Sequence, residues 1–408
     1  MITKVEKFVQ KVNGKKEYNK HYLYSQIIKN ERSKRRLTLA EMAKGICSIS
    51  YLCKFEKNMI VADEAYIRAI FERVNLDYNS VGKNIIEKGV ENSVKAFLYE
   101  KYHIIEEYID HMDDSLFNAQ NYLIKAFYYL IKEQYLEFKD AITTIDNIKD
   151  TLFPQDVGVL LFLVVEYYIR TYQFKEANRY LDQIELLSFK FDELNWLIDE
   201  QQFHVGCNLK IYPKIYKYYY KIMTNNNIGY PANRQIMNRL RIMYVETDSY
   251  FTSVYSELKQ LNLDDIKDNH FLDVTYMRLA ILLKGNMGLK VFDEIYDNHY
   301  YSEARFISLL MIAADYIDDE NYINIASEIA EKFEYESHDA IHYKFIRFML
   351  IKFHYQKKHD VIDYLRNEVI PYRHSFSHFI YTDVYEKYYI EYLRKVSKYK
   401  EALSFYVK

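Results

Sequence analysis

The chain has 408 residues and a formal net charge of −3; half of it is apolar and 28% is charged, so it can bury a large core and is not a disordered chain. Only nine Gly and four Pro occur, which argues against turn-rich all-β folds and Gly-rich phosphate loops and for helices joined by short turns. The 44 tyrosines fit the codon bias of an AT-rich genome better than any tyrosine chemistry.

Charge is unevenly spread. Residues 1–60 hold 14 Lys and Arg against 5 Asp and Glu; the rest holds 41 against 53. A basic end on an acidic body points to contact with a polyanion. Residues 1–20 read as an N-terminal extension, either a solvated lysine-rich tail or a hairpin arm turning at Val12–Gly14. No secretory segment is evident, and the longest apolar run, Val157 to Val165, is nine residues where a membrane span needs about 20. Three cysteines, Cys47, Cys53 and Cys207, suit neither a disulfide framework nor a zinc site. The expectation is a cytoplasmic protein without membrane contact.

The first folded module is expected over 21–78. Ile27, Ile28 and Leu37 frame a helix with a basic end at Arg32, Lys34, Arg35 and Arg36. Thr38 with Glu41 three residues on is a capping box, opening a short helix with Leu39, Met42 and Ala43 inward. Gly45 permits the turn, Ser48 caps a third helix, and Leu52 and Phe55 face in. Ile49, Ser50 and Lys54 are left on the outer face. Ala65, Ile67, Ile70, Phe71 and Val74 close the module. Two short helices, a tight turn and a helix with an exposed small and basic face make a helix-turn-helix. Residues 79–92 read as a linker helix region.

From residue 93 to 408 one pattern recurs: an apolar helix, a polar break, then an aromatic followed three residues later by a small or aliphatic residue. The pairs are Tyr102/Ile105, Phe138/Ala141, Phe174/Ala177, Tyr212/Ile215, Phe251/Val254, Tyr322/Ile325 and Tyr399/Ala402, with weaker Gly288/Val291 and His359/Ile362 between them. Steps of 34 to 40 residues predict stacked helical hairpins, each covering its neighbour's apolar stripe. Leu161–Ile184 resembles a tetratricopeptide repeat, with Leu161, Val164, Val165, Tyr168, Phe174 and Ala177 at packing positions. Pro154, Pro213, Pro231 and Pro371 fall at breaks or first turns, where a missing N–H costs little. The fold class is therefore all-α: a small N-terminal helix-turn-helix domain and a right-handed, tetratricopeptide-like solenoid.

The segment LTLAEMAKGICSISYLCKFEKN, from Leu37 to Asn58, resembles the helix-turn-helix of the XRE family. With the array behind it, the chain resembles the RRNPP group of Gram-positive regulators that sense short signalling peptides. Leu39 stands where that family commonly has Gln, and Lys57-Asn58 where it has Asn-Gly. The resemblance implies a transcription regulator in which Ile49, Ser50 and Lys54 reach base edges. Arg32, Arg35, Arg36, Thr38 and Lys44 would hold phosphates. It implies double-stranded DNA as partner, an inverted-repeat operator, a homodimer and a peptide bound on the concave side of the array. Asn195, Gln202, Asn238, Arg241, Arg278 and Arg305, on the inner helices of the middle hairpins, are the candidate peptide ligands. Ser80–Asn92 is the candidate dimer helix; the aromatics around Phe376–Tyr392 are a second candidate contact, with ordinary packing between repeats the favoured account of them.

His338/His342 and His374/His378 have helical metal-ligand spacing but no third ligand, and no Walker loop or GxSxG occurs, so neither metal, cofactor nor enzymatic activity is expected. The competing readings are a protein-interaction scaffold, and a DNA-binding regulator controlled by a protein partner or a small molecule.

Overall fold

In a computed structural model the protein is described at Val9, 22–80, 88–112, 118–149, 152, 154–187, 191–225, 229, 231–261, 268–336, 340–354, 358–372, 378–403 and 405. Among these residues every regular element is a helix. The extension over 1–20 lies outside them except for Val9, which is buried, so the turn at Val12–Gly14 cannot be placed.

Four helices form the N-terminal module: α1 (Tyr22–Lys34), α2 (Leu39–Ala43), α3 (Ile49–Glu56) and α4 (Glu64–Arg73). Their starts are written locally. Thr38 accepts from the Glu41 N–H while the Glu41 carboxylate accepts from the Thr38 N–H at 2.7 Å. Ser48 accepts from the Tyr51 N–H and Asp63 from the Ala65 N–H. Gly45 has φ +72°, the left-handed conformation the tight turn needs. Ile27, Ile28, Met42, Ala43, Leu52, Phe55, Ile67, Ile70, Phe71 and Val74 form one core. Ala65 is exposed, one residue into α4, with its N–H engaged by the Asp63 cap.

Nine helical hairpins follow among the described residues. Their first helices are α5 (Gly89–Leu98), α7 (Ala119–Ile131), α9 (Pro154–Arg170), α11 (Asp192–Leu209), the first part of α13 (Ala232–Gln260), α14 (Asp268–Lys284), α16 (Ala304–Ile317), α18 (Ala340–His354) and α20 (Phe379–Lys395). Their second helices are α6 (His103–Asp110), α8 (Tyr135–Ile148), α10 (Phe174–Ile184), α12 (Tyr212–Thr224), the second part of α13, α15 (Gly288–Asp297), α17 (Glu320–Lys332), α19 (Lys358–Tyr364) and α21 (Tyr399–Leu403). Helix α13 is broken at Tyr250 (φ −137°, ψ 35°), the hairpin turn expected before Phe251. The solenoid-like stack of an all-α fold is thus present. It begins at Gly89, inside the stretch read as a linker; Val90, Ser93 and Val94 are already buried.

The small or aliphatic members of the repeated pairs are buried at Ile105, Ala141, Ala177, Ile215, Val254, Val291, Ile362 and Ala402. Two expectations need correction. Ile325 is 37% exposed and its neighbour Ala326 is fully buried instead, because Tyr322 packs edge-on against Phe292 at 4.8 Å and sets the register one residue later. Tyr212 and Tyr399 are exposed; at these turns the aromatic starts the helix without wedging. Gly288 replaces the aromatic where a side chain has no room: a Cβ there would lie 3.1 Å from the Ala313 carbonyl oxygen.

The hairpin turns show how a Gly-poor chain reverses direction. Glu100, Glu133, Tyr172, Lys210, Asn286, Asp318 and Ser397, each between a first and a second helix, all have φ near +60°. This region costs a non-glycine residue roughly 1–2 kcal/mol, and glycine usually fills it. The chain pays that strain repeatedly for short turns.

Contacts group the chain into two compact units. The first comprises Met1–Arg170, Glu176–Gln201 and Asn225–Gly229, and holds the N-terminal module with the first hairpins. Within it α1 packs against α8, and Gln26 accepts the Ala119 N–H at 3.2 Å. Across the first helices, Gln201 donates to the Phe162 carbonyl and to Glu166, and Arg170 donates to Glu166 and to the Leu130 carbonyl. The second unit comprises Thr171–Lys175, Gln202–Thr224 and Tyr230–Lys408. Its core runs from Ile236 to Phe405 and is rich in aromatics. No helix of the described residues is long and apolar enough to cross a membrane.

Candidate nucleic-acid interface and ligand groove

Helix α3 buries Leu52, Phe55 and Glu56 and turns the opposite face outward. Ile49 at its first position is 52% exposed, an unusual place for a branched aliphatic side chain, and Ser50 and Lys54 are exposed beside it. Lys54 has no ion-pair partner among the described residues, and neither do Arg36 and Lys44. Arg36 sits in the left-handed conformation (φ 57°) at the end of α1, and Lys44 follows α2; both are exposed. An apolar tip, a hydroxyl and an ammonium on one helix face, flanked by free cations, match the chemistry of base edges and phosphates.

The other expected phosphate ligands are engaged within the module. Arg32 is a brace: its Nε and Nη2 donate to both carboxylate oxygens of Glu56 at 2.6 and 2.8 Å, and Nη1 donates to the Leu37 carbonyl at 3.0 Å. The two side chains are 17% and 5% exposed, and the paired carboxylate holds the guanidinium pKa above its ordinary value. Arg32 thereby ties α1 to α3 and to the entry of α2. Arg35 donates to the Val74 carbonyl at 2.5 Å and lies 3.5 Å from Glu31. The Thr38 hydroxyl both accepts from the Glu41 N–H and donates to the Glu41 carboxylate; the Thr38 backbone N–H and then this hydroxyl hold the carboxylate pKa below its ordinary value. Arg73, absent from the sequence reading, donates to the Glu41 and Met42 carbonyls at the end of α2. A basic residue 30 positions away gives no local signal that it caps that helix.

In the second unit the first helices α13, α14, α16, α18 and α20 line a groove of about 730 Å³. It carries both charges: Asp248, Asp315, Asp383 and Glu391 alternate with Lys284, Lys352 and Lys387. Lys352 bonds Asp315 at 2.5 Å, and Lys284 reaches Asp248 at 2.8 Å and the Tyr244 carbonyl at 2.9 Å. Asp383 accepts from Lys210 and from the Tyr244 hydroxyl. That hydroxyl has a strongly raised pKa, because burial and then Asp383 disfavour its ionised form.

None of the six expected peptide ligands lines this groove. Asn195 is half-buried in the first unit. Gln202 and Asn238 are buried, and Arg241 donates to the Asn238 side-chain oxygen at 2.9 Å. Arg278 pairs with Glu294, and Arg305 with Asp273 and Glu303. Of these bonds, Arg278 with Glu294 joins α14 to α15, and Arg305 with Asp273 joins α16 to α14. The groove takes its polarity from Lys and acidic residues that carry no motif in the sequence.

Of the two histidine pairs with metal-ligand spacing, His338 and His374 lie outside the described residues. Their partners His342 and His378 are both buried, with ring centroids 6.2 Å apart. No group of three or more His, Cys, Asp or Glu among the described residues could hold a metal ion. The dimer contact expected at Ser80–Asn92 falls mostly outside the described residues, and its last four residues belong to α5; Phe376 is also outside, while Tyr381, Tyr385 and Tyr389 are buried within the second unit.

No family model and no solved structure matches the chain. It is similar to the transcriptional activator NprA of Geobacillus stearothermophilus, 19% identical over 412 residues, which span 90% of this chain and 97% of that protein. The similarity therefore runs through both the N-terminal module and the hairpin array.

Proposed function

From this likeness to a transcriptional activator, we propose that the protein is a sequence-specific DNA-binding regulator, without enzymatic activity, that reads a two-fold operator as a homodimer. One observation carries the reading: the outward face of α3 presents Ile49, Ser50 and Lys54 beside the cations Arg36 and Lys44, which have no ion-pair partner among the described residues, on the basic end of an otherwise acidic chain. Lys54 is assigned to a guanine edge and Ile49 to a thymine methyl, with Arg36 and Lys44 on phosphates. A dimer follows because one such module buries too little surface for specificity.

The roles separate experimentally. On a selected DNA site, Lys54→Ala should flatten the preference at one or two base pairs, each worth about 1–3 kcal/mol. Arg36→Ala should weaken all sequences alike and lower the salt slope by about one. A K54A protein with an unchanged base preference removes α3 as the reading helix.

For the groove we propose a short signalling peptide as occupant. Its alternating ammonium and carboxylate groups offer partners for both peptide termini and for backbone amides. Affinity selection from a pool of synthetic short peptides, by the full chain and by Asp315→Lys, tests this. Enrichment of a common sequence by the wild type and its loss in D315K are expected. The same peptides recovered by both proteins would contradict the assignment.

A further inference from the structure

A second cavity, of about 240 Å³, opens in the C-terminal unit between α18, the start of α20 and the turn that follows α19. Its walls are apolar and aromatic: Phe345, Phe348, Tyr381, Tyr385 and Val369. The Tyr381 and Tyr385 hydroxyls are hydrogen-bonded to His342 and Thr382, and one further buried polar side chain stands in the wall. His378 is 7% exposed and its Nδ1 has no hydrogen-bond partner. Its Nε2 lies 3.4 Å from the Tyr276 hydroxyl, and its ring stacks on Tyr381 at 4.2 Å, which fixes its orientation. A buried polar atom without a partner is destabilising, a cost that a bound molecule supplying a partner would remove. Glu368 and Val369 lie in a π-helical turn, Leu365–Val369, a distortion frequently found at functional sites. The charged side chains of the lining, Lys344 and Glu368, are half-exposed and exposed, and so mark its open side.

We infer that this cavity is a binding site for an uncharged aromatic molecule of one or two rings carrying a single hydrogen-bonding atom for His378. Size sets the upper bound: a dry cavity of about 150 Å³ takes benzene, and this one is larger. The walls exclude charged or sugar-like ligands, whose polar groups would be buried without partners. Ring faces around the space favour a planar guest by stacking and edge contacts. The one polar atom would orient it, the usual division of labour in small-molecule pockets. Burial, and then the neighbouring His342, hold the His378 pKa well below its ordinary value, so the ring is neutral and presents Nδ1 as a donor or an acceptor according to tautomer. The site does not include the Lys and Asp residues of the larger groove, and its test is independent of the peptide reading.

The test is calorimetric titration of the full chain at pH 7.5 with quinoline (an acceptor), indole (a donor) and naphthalene (neither). Saturable binding is expected, with quinoline or indole about tenfold tighter than naphthalene. His378→Phe should abolish that difference while leaving naphthalene bound. Val369→Trp and Ala340→Phe, each filling the cavity from a partly or fully exposed position, should each remove binding without loss of helical circular dichroism. The inference is overturned by absence of saturable binding to the solubility limit. Equal affinities for all three probes overturn it, as does binding that survives both cavity-filling variants.

Discussion

Removing Glu56 should loosen the DNA-binding module without touching its outer face. Glu56 is 5% exposed and accepts two hydrogen bonds from Arg32, itself 17% exposed. Breaking a buried ion pair from one side typically costs about 3–5 kcal/mol, because the remaining charge is stranded. Here Arg32 keeps the Leu37 carbonyl and some solvent, so Glu56→Ala should cost about 2–3 kcal/mol. With two compact units a single global unfolding energy is ill-defined, so the readout is hydrogen exchange at Ile28, Leu52 and Phe55. Protection there should fall by about 30- to 150-fold, with the second unit unchanged. The double variant Arg32→Met/Glu56→Met replaces the pair by apolar side chains and should recover to within about 1 kcal/mol of the wild type. Its DNA salt slope should equal that of the wild type, since Arg32 is a brace. A loss in E56A below about 0.5 kcal/mol, or a slope reduced by one in the double variant, would refute the reasoning.

Other outcomes follow from the same geometry. Thr38→Ala removes the hydroxyl half of the capping box, leaving the backbone N–H bond to Glu41, and should destabilise the module by about 1 kcal/mol, seen as faster exchange in α2. Glu133→Gly relieves an exposed left-handed residue and should raise the stability of the first unit by up to about 1 kcal/mol, measured by urea titration; an unchanged midpoint would mean that the turn is unstrained. His204 and His378 both have depressed pKa values, His204 through burial and then Arg241 and His378, His378 through burial and then His342. The unfolded chain therefore takes up protons that the folded chain does not. Their contribution is complete well above pH 6.5 and is lost progressively as pH falls through and below it. Replacing both histidines with Asn should flatten the dependence of urea midpoint on pH between 7.5 and 5.5; an unaltered slope would contradict their burial as neutral groups.

Much of this architecture is legible where the determinant is local. Thr38 and Glu41, Gly45 and Ser48 specify the turn between α2 and α3 within eleven residues, and the structure has each bond they predict. The nine second helices begin where the repeated pairs place them to within about three residues, because an aliphatic or small residue near each start is needed for close packing. The turns themselves were not legible: a left-handed Glu133 or Lys210 looks like any surface residue. Long-range roles were least visible. Arg32 and Arg35 read as part of one basic end and Arg73 carries no sequence signal at all, yet each has a partner set by tertiary packing, Glu56, the Val74 carbonyl and the end of α2. Similarly, which side of a repeat helix faces the groove depends on how successive hairpins stack. Asn238 and Arg241 therefore looked more ligand-like than Lys284 and Asp315, although only the latter pair lines the groove.

The central claim is that α3 reads a DNA sequence. Its most direct test is capture of sheared genomic DNA by the full-length protein at physiological salt, sequenced alongside the same capture with Lys54→Ala. The account predicts a few enriched inverted repeats with the wild type and a changed or relaxed set with K54A. Uniform recovery that disappears with rising salt, identical for the two proteins, would mean that charge alone holds the DNA and would contradict it.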